Sequence, residues 1–260
     1  MDMTLIRQLL EAGVHFGHQT KRWNPKMRSF IYGNRSGIHV IDLQKTERCL
    51  KAAGDFLEDL AAQGSAVLFV GTKKQARPVL EAEAKRAGMP YVTTRWLGGT
   101  LTNFQTIRRN IDRLIELRQQ QADGFFERIS KKDAKRLTHQ LEQLEEHLAG
   151  LAEMGRLPGA LFIVDTKREE IAVREANRLK IPIIAICDTN ANPDLIAYPV
   201  PGNDDAIRSV KLLVGFITER IVAGRARWTP PVSASPVEPS AALVVEGAAP
   251  SSSPAVTHGR

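Results

Sequence analysis

Short runs of β-branched and aliphatic residues alternate with longer amphipathic stretches along this chain, and that alternation limits the folds open to it. Ile38–Ile41 reads as a strand. Asp42 is placed to cap the helix that follows, whose apolar positions Leu43, Leu50, Ala53, Leu57 and Leu60 keep helical spacing up to Gly64. Ala66–Val70 reads as a buried strand closed by Gly71. Thr72-Lys-Lys-Gln75 has capping-box spacing, and the helix it would open runs to Ala87 with Gly88 as its stop. Pro78 lacks an N–H, so it must kink that helix or delay its start. Tyr91–Thr93 is a further short strand. The second half repeats the theme. Ala160–Val164 is a strand, Thr166-Lys-Arg-Glu169 has capping-box spacing, and Ile171, Ala172, Ala176 and Leu179 form a buried stripe. Pro182–Cys187 is a strand, Ile196–Tyr198 an edge strand, and Asp204 opens a last helix carrying Ile207, Val210, Val214, Ile217 and Ile221. The predicted fold class is α/β: a mostly parallel sheet with helices on both faces.

The segment between the halves has another pattern. Thr102-Asn-Phe-Gln105 starts a helix with Phe104, Ile107, Ile111 and Leu114, and a turn follows at Asp123-Gly124. A second helix carries Ala134, Leu137, Leu141, Leu144, Leu148 and Leu151, at the three-four spacing of a heptad seam. The spacing predicts an inserted antiparallel coiled-coil hairpin projecting from the sheet. The predicted organisation is therefore a discontinuous α/β domain at 1–103 and 155–228, a hairpin at 104–154 and a tail at 229–260. That tail holds six Pro, six Ser and six Ala with only three charges, a composition expected to stay disordered.

Of the 260 residues, 43% are apolar and 25% charged, enough to bury a sizeable core. The longest apolar stretch is the seven residues Ile181–Cys187, so no transmembrane helix is expected. Asp2, Arg7 and Glu11 at the N-terminus argue against a secretory signal. Cys49 and Cys187 are too few for a disulfide framework or a four-thiolate zinc site, and a cytoplasmic protein is expected.

The net charge is +7, unevenly spread. Residues 105–154 hold nine bases and nine acids. Between Glu11 and Asp42 there is no acid, yet Lys21, Arg22, Lys26, Arg28 and Arg35 fall there, interleaved with Trp23, Phe30 and Tyr32. Unneutralised cations attract polyanions, and aromatics among them can stack on bases or ribose. Composition alone leaves a solvated basic loop equally open.

Four other groups bear on chemistry. Gly71-Thr-Lys-Lys74 follows a strand and opens a predicted helix, which suits Lys73 and Lys74 to a phosphodiester backbone, although the P-loop spacing is absent. His15, His18 and His39 have no further ligand at convincing spacing, so packing in a turn is expected and no metal site is assigned. Asp188, Asp204 and Asp205 can converge at the carboxyl ends of strands, where α/β folds place ligands, as a magnesium or catalytic site. Capping roles fit them better, because no nucleophile or matching base stands beside them. Arg95 and Trp96 precede Gly98-Gly99 and suit ribose and phosphate, while Trp96 can equally anchor the base of the hairpin.

Taken in order, these motifs resemble a known family. Gly13-Val-His-Phe-Gly-His-Gln-Thr-Lys-Arg-Trp-Asn-Pro-Lys-Met27 and Gly37-Ile-His-Val-Ile-Asp-Leu-Gln-Lys-Thr46 resemble the N-terminal signature of the bacterial ribosomal protein S-two family, of the small ribosomal subunit. Phe69–Ala76, Arg95–Phe104 and Tyr198–Ser209 continue the likeness, which runs from about Thr4 to Gly224. The resemblance implies a flavodoxin-like α/β domain with an inserted coiled-coil hairpin, and no catalysis. It implies a structural role: binding ribosomal RNA at the head–body junction and helping recruit ribosomal protein S-one. Carried onto this chain, the RNA contacts fall on Lys21, Arg22, Trp23, Asn24, Lys26 and Arg28, with Arg35, then on Lys73, Lys74, Arg95 and Trp96. No cofactor is expected, and the sequence leaves a structural magnesium ion open. Two other readings stand beside it. One is an α/β enzyme acting on a phosphorylated small molecule through Thr72–Lys74 and Asp188; the other is a coiled-coil adaptor that binds no RNA, which leaves the Lys21–Arg35 cluster unexplained.

Overall fold

A computed structural model describes residues 3–228, so the tail expected at 229–260 lies outside the described residues. The chain runs α1 (Met3–Glu11), β1 (Phe16–Gln19), β2 (Ile31–Arg35), β3 (Ile38–Ile41), α2 (Leu43–Ala62), β4 (Val67–Val70), α3 (Arg77–Ala87) and β5 (Tyr91–Val92). It continues with α4 (Phe104–Ala122), α5 (Phe125–Arg128), α6 (Lys131–Leu148), β6 (Ala160–Val164), α7 (Glu170–Arg178), β7 (Ile183–Cys187), β8 (Tyr198–Pro201) and α8 (Ile207–Arg227).

β5, β4, β6, β7 and β8 form one sheet in that order, parallel throughout. Successive side chains on a strand point to opposite faces, so an all-apolar strand feeds two cores. Ala160, Phe162 and Val164 of β6 join α1, α2, α3 and α8 on one face. Leu161 and Ile163 join α7 and the α4–α6 region on the other. The expected parallel sheet covered on both faces is therefore present. Tyr198–Pro201 tolerates Pro199 and Pro201 because β8 is an edge strand.

β3 does not join that sheet. It pairs antiparallel with β1 and β2 in a separate three-stranded sheet. Ser36 and Gly37 both have positive φ, 51° and 77°, the requirement of a two-residue hairpin turn that follows the strand twist.

One local expectation resolves and two change. α3 starts at Arg77 with Pro78 in its first turn, so the proline delays the helix. Neither capping box forms. Glu169 of the second reaches Thr72 of the first, accepting from its amide at 2.8 Å and its hydroxyl at 2.6 Å. Asp204 does not open the last helix. Asn203 Oδ1 accepts from the amides of Asp205 and Ala206, and α8 begins at Ile207.

In α6 the buried or half-buried positions include Ala134, Leu137, Leu141, Leu144 and Leu148, while most of the residues between them are exposed. Ile107, Ile111, Leu114 and Leu117 are the buried positions of α4. Arg118 of α4 pairs with Glu145 of α6 at 2.9 Å.

The loop before α4 is held by one carboxylate. Glu175 on α7 accepts from Trp96 Nε1 (3.1 Å), from the amides of Gly99, Leu101 and Thr102, and from the Thr102 hydroxyl. Burial pushes the Glu175 carboxyl up, but these donors outweigh it and hold it below its ordinary value. Glu175→Gln should therefore destabilise the chain by at least about 2 kcal/mol at neutral pH, because buried donors lose their acceptor. The wild-type advantage is full above pH 4.5 and shrinks as pH falls through the depressed folded value. Urea denaturation of both chains at pH 7 and pH 3.5 checks this; equal stability at pH 7 excludes the role given to Glu175.

Candidate nucleic-acid interface

Residues 20–30 are built to display cations. Thr20–Arg22 and Pro25–Phe30 are two short 3-10 turns. Asn24 Oδ1 accepts from the Lys26 amide at 3.0 Å, and Pro25 supplies the fixed φ of the first turn. Met27 is fully buried as the anchor. With three residues per turn, its neighbours Lys26 and Arg28 point away from it, and both are exposed. The Asn24 amide donates to the Thr189 carbonyl at 2.8 Å, tying this segment to the loop after β7. Lys21, Arg22 and Arg35 are exposed as well. Among the described residues no carboxylate lies within ion-pair distance of Lys21, Arg22, Arg28 or Arg35; Lys26 pairs with Asp194 at 2.5 Å. Trp23 is half-buried and packs against His39, ring centroids 5.1 Å apart. The structure thus gathers Lys21, Arg22, Trp23, Asn24, Lys26 and Arg28 on one short segment.

Lys74 and Arg95 are exposed in the loops after the adjacent strands β4 and β5. Lys73 and Trp96 turn inward. Trp96 is 6% exposed and spends its N–H on Glu175. Lys73 Nζ lies 2.6 Å from Asp204, 2.7 Å from Asp205 and 3.5 Å from Asp165, with its side chain only 11% exposed.

Lys73 belongs to a charge cluster at the carboxyl edge of the sheet. His18 Nδ1 lies 2.9 Å from Asp188 Oδ2, and His18 Nε2 lies 3.6 Å from Asp205. The His18 amide donates to the Thr189 hydroxyl at 2.9 Å. Burial, then the charges of Asp165 and Asp188, pushes Asp204 up to about 7 despite Lys73. Burial works against the Lys73 ammonium, but the surrounding carboxylates outweigh it and hold its pKa well above the ordinary lysine value. The hydrogen bond that His18 Nδ1 donates to Asp188, aided by carboxylate charge and opposed by burial, raises His18. One ligand atom each from His18, Asp188, Asp204 and Asp205 lie within 4.8 Å of one another. One imidazole and three carboxylates are a donor set that could take a divalent cation. His15 and His39 stay apart from it: His15 packs on Phe16, and His39 on Trp23.

The expectation that Asp188, Asp204 and Asp205 act mainly as caps gives way here to convergence. The helix start that an enzyme would use for phosphate is also committed, since the Thr72 amide serves Glu169. Sequence reasoning gave Glu169 a local capping partner in place of Thr72, and it missed Glu175, an acid on a predicted helix with nothing local to mark it as buried. It missed the partnership of His18 with Asp188 because they lie 170 residues apart.

The described helices include none long and apolar enough to cross a membrane. Residues 9–224 match the family model described as Ribosomal protein S2. The chain is 54% identical over 222 residues to a protein named small ribosomal subunit protein uS2 from Sorangium cellulosum, covering 85% of this chain and 80% of that one. It is 57% identical over 225 residues to the protein of the same name from Dictyoglomus turgidum, covering 86% and 92%. The protein so named from Coprothermobacter proteolyticus is 52% identical over 225 residues, covering 86% and 84%.

The cluster makes a prediction about stability. Lys73→Met leaves Asp204 buried among carboxylates without its ammonium, and breaking such a pair costs about 3–5 kcal/mol. Adding Asp204→Asn should recover most of that loss, and millimolar Mg2+ or micromolar Zn2+ should raise the melting temperature of Lys73→Met more than that of the wild type. Thermal melts of the three chains check it; a Lys73→Met melt like the wild type means that the cluster is indifferent to its cation.

Proposed function

The chain belongs to the ribosomal protein S2 family, and from that premise we propose that it is a structural constituent of the small ribosomal subunit that grips ribosomal RNA with its residue 21–35 face. Family membership makes it a ribosomal protein of translation rather than an enzyme, and places it in the cytoplasm as part of the ribosome. Its partners are ribosomal RNA and neighbouring ribosomal proteins. The observation that carries the RNA reading is the set of exposed cations at Lys21, Arg22, Arg28 and Arg35, which meet no carboxylate among the described residues. Lys74 and Arg95, exposed on the same edge of the sheet as the loops after β4 and β5, extend the basic surface. Lys73 and Trp96 act from inside, by holding the loops that carry their exposed neighbours. The reading includes a position at the head–body junction and help in recruiting ribosomal protein S-one.

The same reading covers the architecture. Residues 1–103 and 155–228 act as a discontinuous flavodoxin-like domain, 104–154 as a coiled-coil hairpin inserted in it, and 229–260 as a dispensable tail. The alternation of buried and exposed positions along α6 and the Arg118–Glu145 pair support the hairpin.

Two experiments test this. Lys21→Ala with Arg22→Ala should weaken binding to small-subunit ribosomal RNA without changing the melting temperature, and lower the slope of log affinity against log salt by about 0.7–0.9 per lost phosphate contact. An unchanged slope removes this face from the interface. Leu141→Asp with Leu144→Asp should open the hairpin, because an unpaired carboxylate is too costly to bury in its seam. Circular dichroism should then show lost helix above a persisting cooperative transition; loss of the whole fold means that the two helices are integral to the α/β core.

A further inference from the structure

Beside the basic segment lies a cleft of about 430 Å³, walled by Arg22, Trp23, Thr166, Lys167, Asn190 and Asn192 among others. Three separate loops and the first turn of α7 build it: residues 22–25, the loop after β6, the loop after β7, and Glu170 and Val173. Thr166 is 7% exposed, and its hydroxyl has no hydrogen-bond partner. A buried hydroxyl left unpaired carries a free-energy cost that a ligand can relieve. Asn192 accepts from the Asp194 amide with its side-chain oxygen, which leaves its NH2 group as a donor. Trp23 brings a ring already steadied by His39. Arg22 and Lys167 are exposed cations at the cleft, and the acid there, Glu170, is engaged by Arg174 at 2.5 Å.

We propose that this cleft receives a single unstacked nucleotide of the bound RNA, its base against Trp23 and its polar edge on Thr166 and Asn192, with Arg22 and Lys167 at the flanking phosphates. The proposal rests on the RNA-binding reading and adds to it a specific ligand, a base splayed out of a loop or bulge. The chemistry favours a nucleotide over an apolar peptide. The cleft combines one aromatic face, amide and hydroxyl groups of both polarities and two cations, the combination by which proteins take up unpaired bases. Its position also fits, at the carboxyl ends of parallel strands where α/β folds seat ligands.

Fluorescence anisotropy with the full chain and labelled single-stranded RNA heptamers of each base, beside an RNA duplex, tests it. Thr166→Val keeps shape and charge but removes the hydroxyl. It should weaken binding of the favoured heptamer about five- to tenfold, with an unchanged salt slope and unchanged duplex affinity. Trp23→Ala should weaken it about tenfold or more, and Trp23→Phe should restore part of the loss. Wild-type affinity in folded Thr166→Val and Trp23→Ala overturns the proposal. Should either variant fail to fold, a benzophenone amino acid at exposed Lys167 gives a second readout in assembled subunits. A cross-link to one ribosomal RNA nucleotide supports the nucleotide site; a cross-link to protein alone, or none, overturns it. If the wild-type chain binds small-subunit RNA while these variants are unaltered, only the cleft assignment falls. If the wild-type chain binds no such RNA, the RNA-binding reading falls with it.

Discussion

The ammonium of Lys73 is shared by carboxylates arriving from separate loops: Asp165 after β6, and Asp204 and Asp205 after β8. Lys73 itself follows β4, so one cation ties together the carboxyl ends of strands spread across the sheet. His18 extends the tie to the small antiparallel sheet, through Asp188 after β7 and through Asp205. In most open α/β sheets this edge is a crevice for a ligand. Here the chain's own charges occupy the part of it around Lys73, and the cleft beside Thr166 and Asn192 stays open. Buried acids at such density need a positive partner, since each ion removed from water carries a penalty of several kcal/mol. The ammonium supplies it, and the loops that deliver these groups have little freedom left.

A second pair of ties runs from α7. Glu169, at its N-terminus, takes the Thr72 amide and hydroxyl, and Glu175, further along, takes the donors of the 96–102 loop. The first fixes how the chain leaves β4, and the second how it enters α4, which begins at Phe104 two residues beyond Thr102. The direction in which α4 departs is therefore set by a carboxylate on a neighbouring helix. Trp96, which the sequence offers both to ribose and phosphate and as an anchor at the base of the hairpin, serves this tie. The same arrangement leaves Arg95 exposed next to it, so the buried and exposed neighbours have opposite jobs on one loop.

Much of the fold is legible in the sequence because it rests on period. Runs such as Ala160–Val164, apolar at every position, announce a strand buried on both faces, and the three-four spacing of Leu137 to Leu148 marks the narrow buried stripe of α6. What the sequence hides is long-range. Thr72 and Glu169 each sit at ideal local capping spacing, yet they pair with one another across 97 residues, because the late start of α3 at Arg77 leaves the Thr72 amide outside any helix. The antiparallel sheet of β1 to β3 is short and built on a Ser-Gly turn, a weaker signal than Asn-Gly. The basic segment could be read directly, since an acid-free stretch is a matter of composition. The histidine and aspartates of the charge cluster could be listed but not joined, since only the fold brings positions 18, 188, 204 and 205 together.

The partition of charge explains how one small domain carries buried acids and a basic face without each cancelling the other. Asp165, Asp188, Asp204, Glu169 and Glu175 all spend their charge inward, on Lys73, His18, backbone amides and hydroxyls. Consumed there, they project little field outward. The cations of residues 21–35 stay outside, anchored by buried Met27 and by the Asn24 link to Thr189 rather than by counter-charges. Their one carboxylate partner among the described residues, Asp194 on Lys26, is exposed on both sides, and an exposed pair of that kind is worth about 0–1 kcal/mol and is screened by salt. A phosphate arriving at Lys26 displaces little. The segment is held in place by packing and backbone hydrogen bonds, so its charge is free for a polyanion, and its shape does not depend on one.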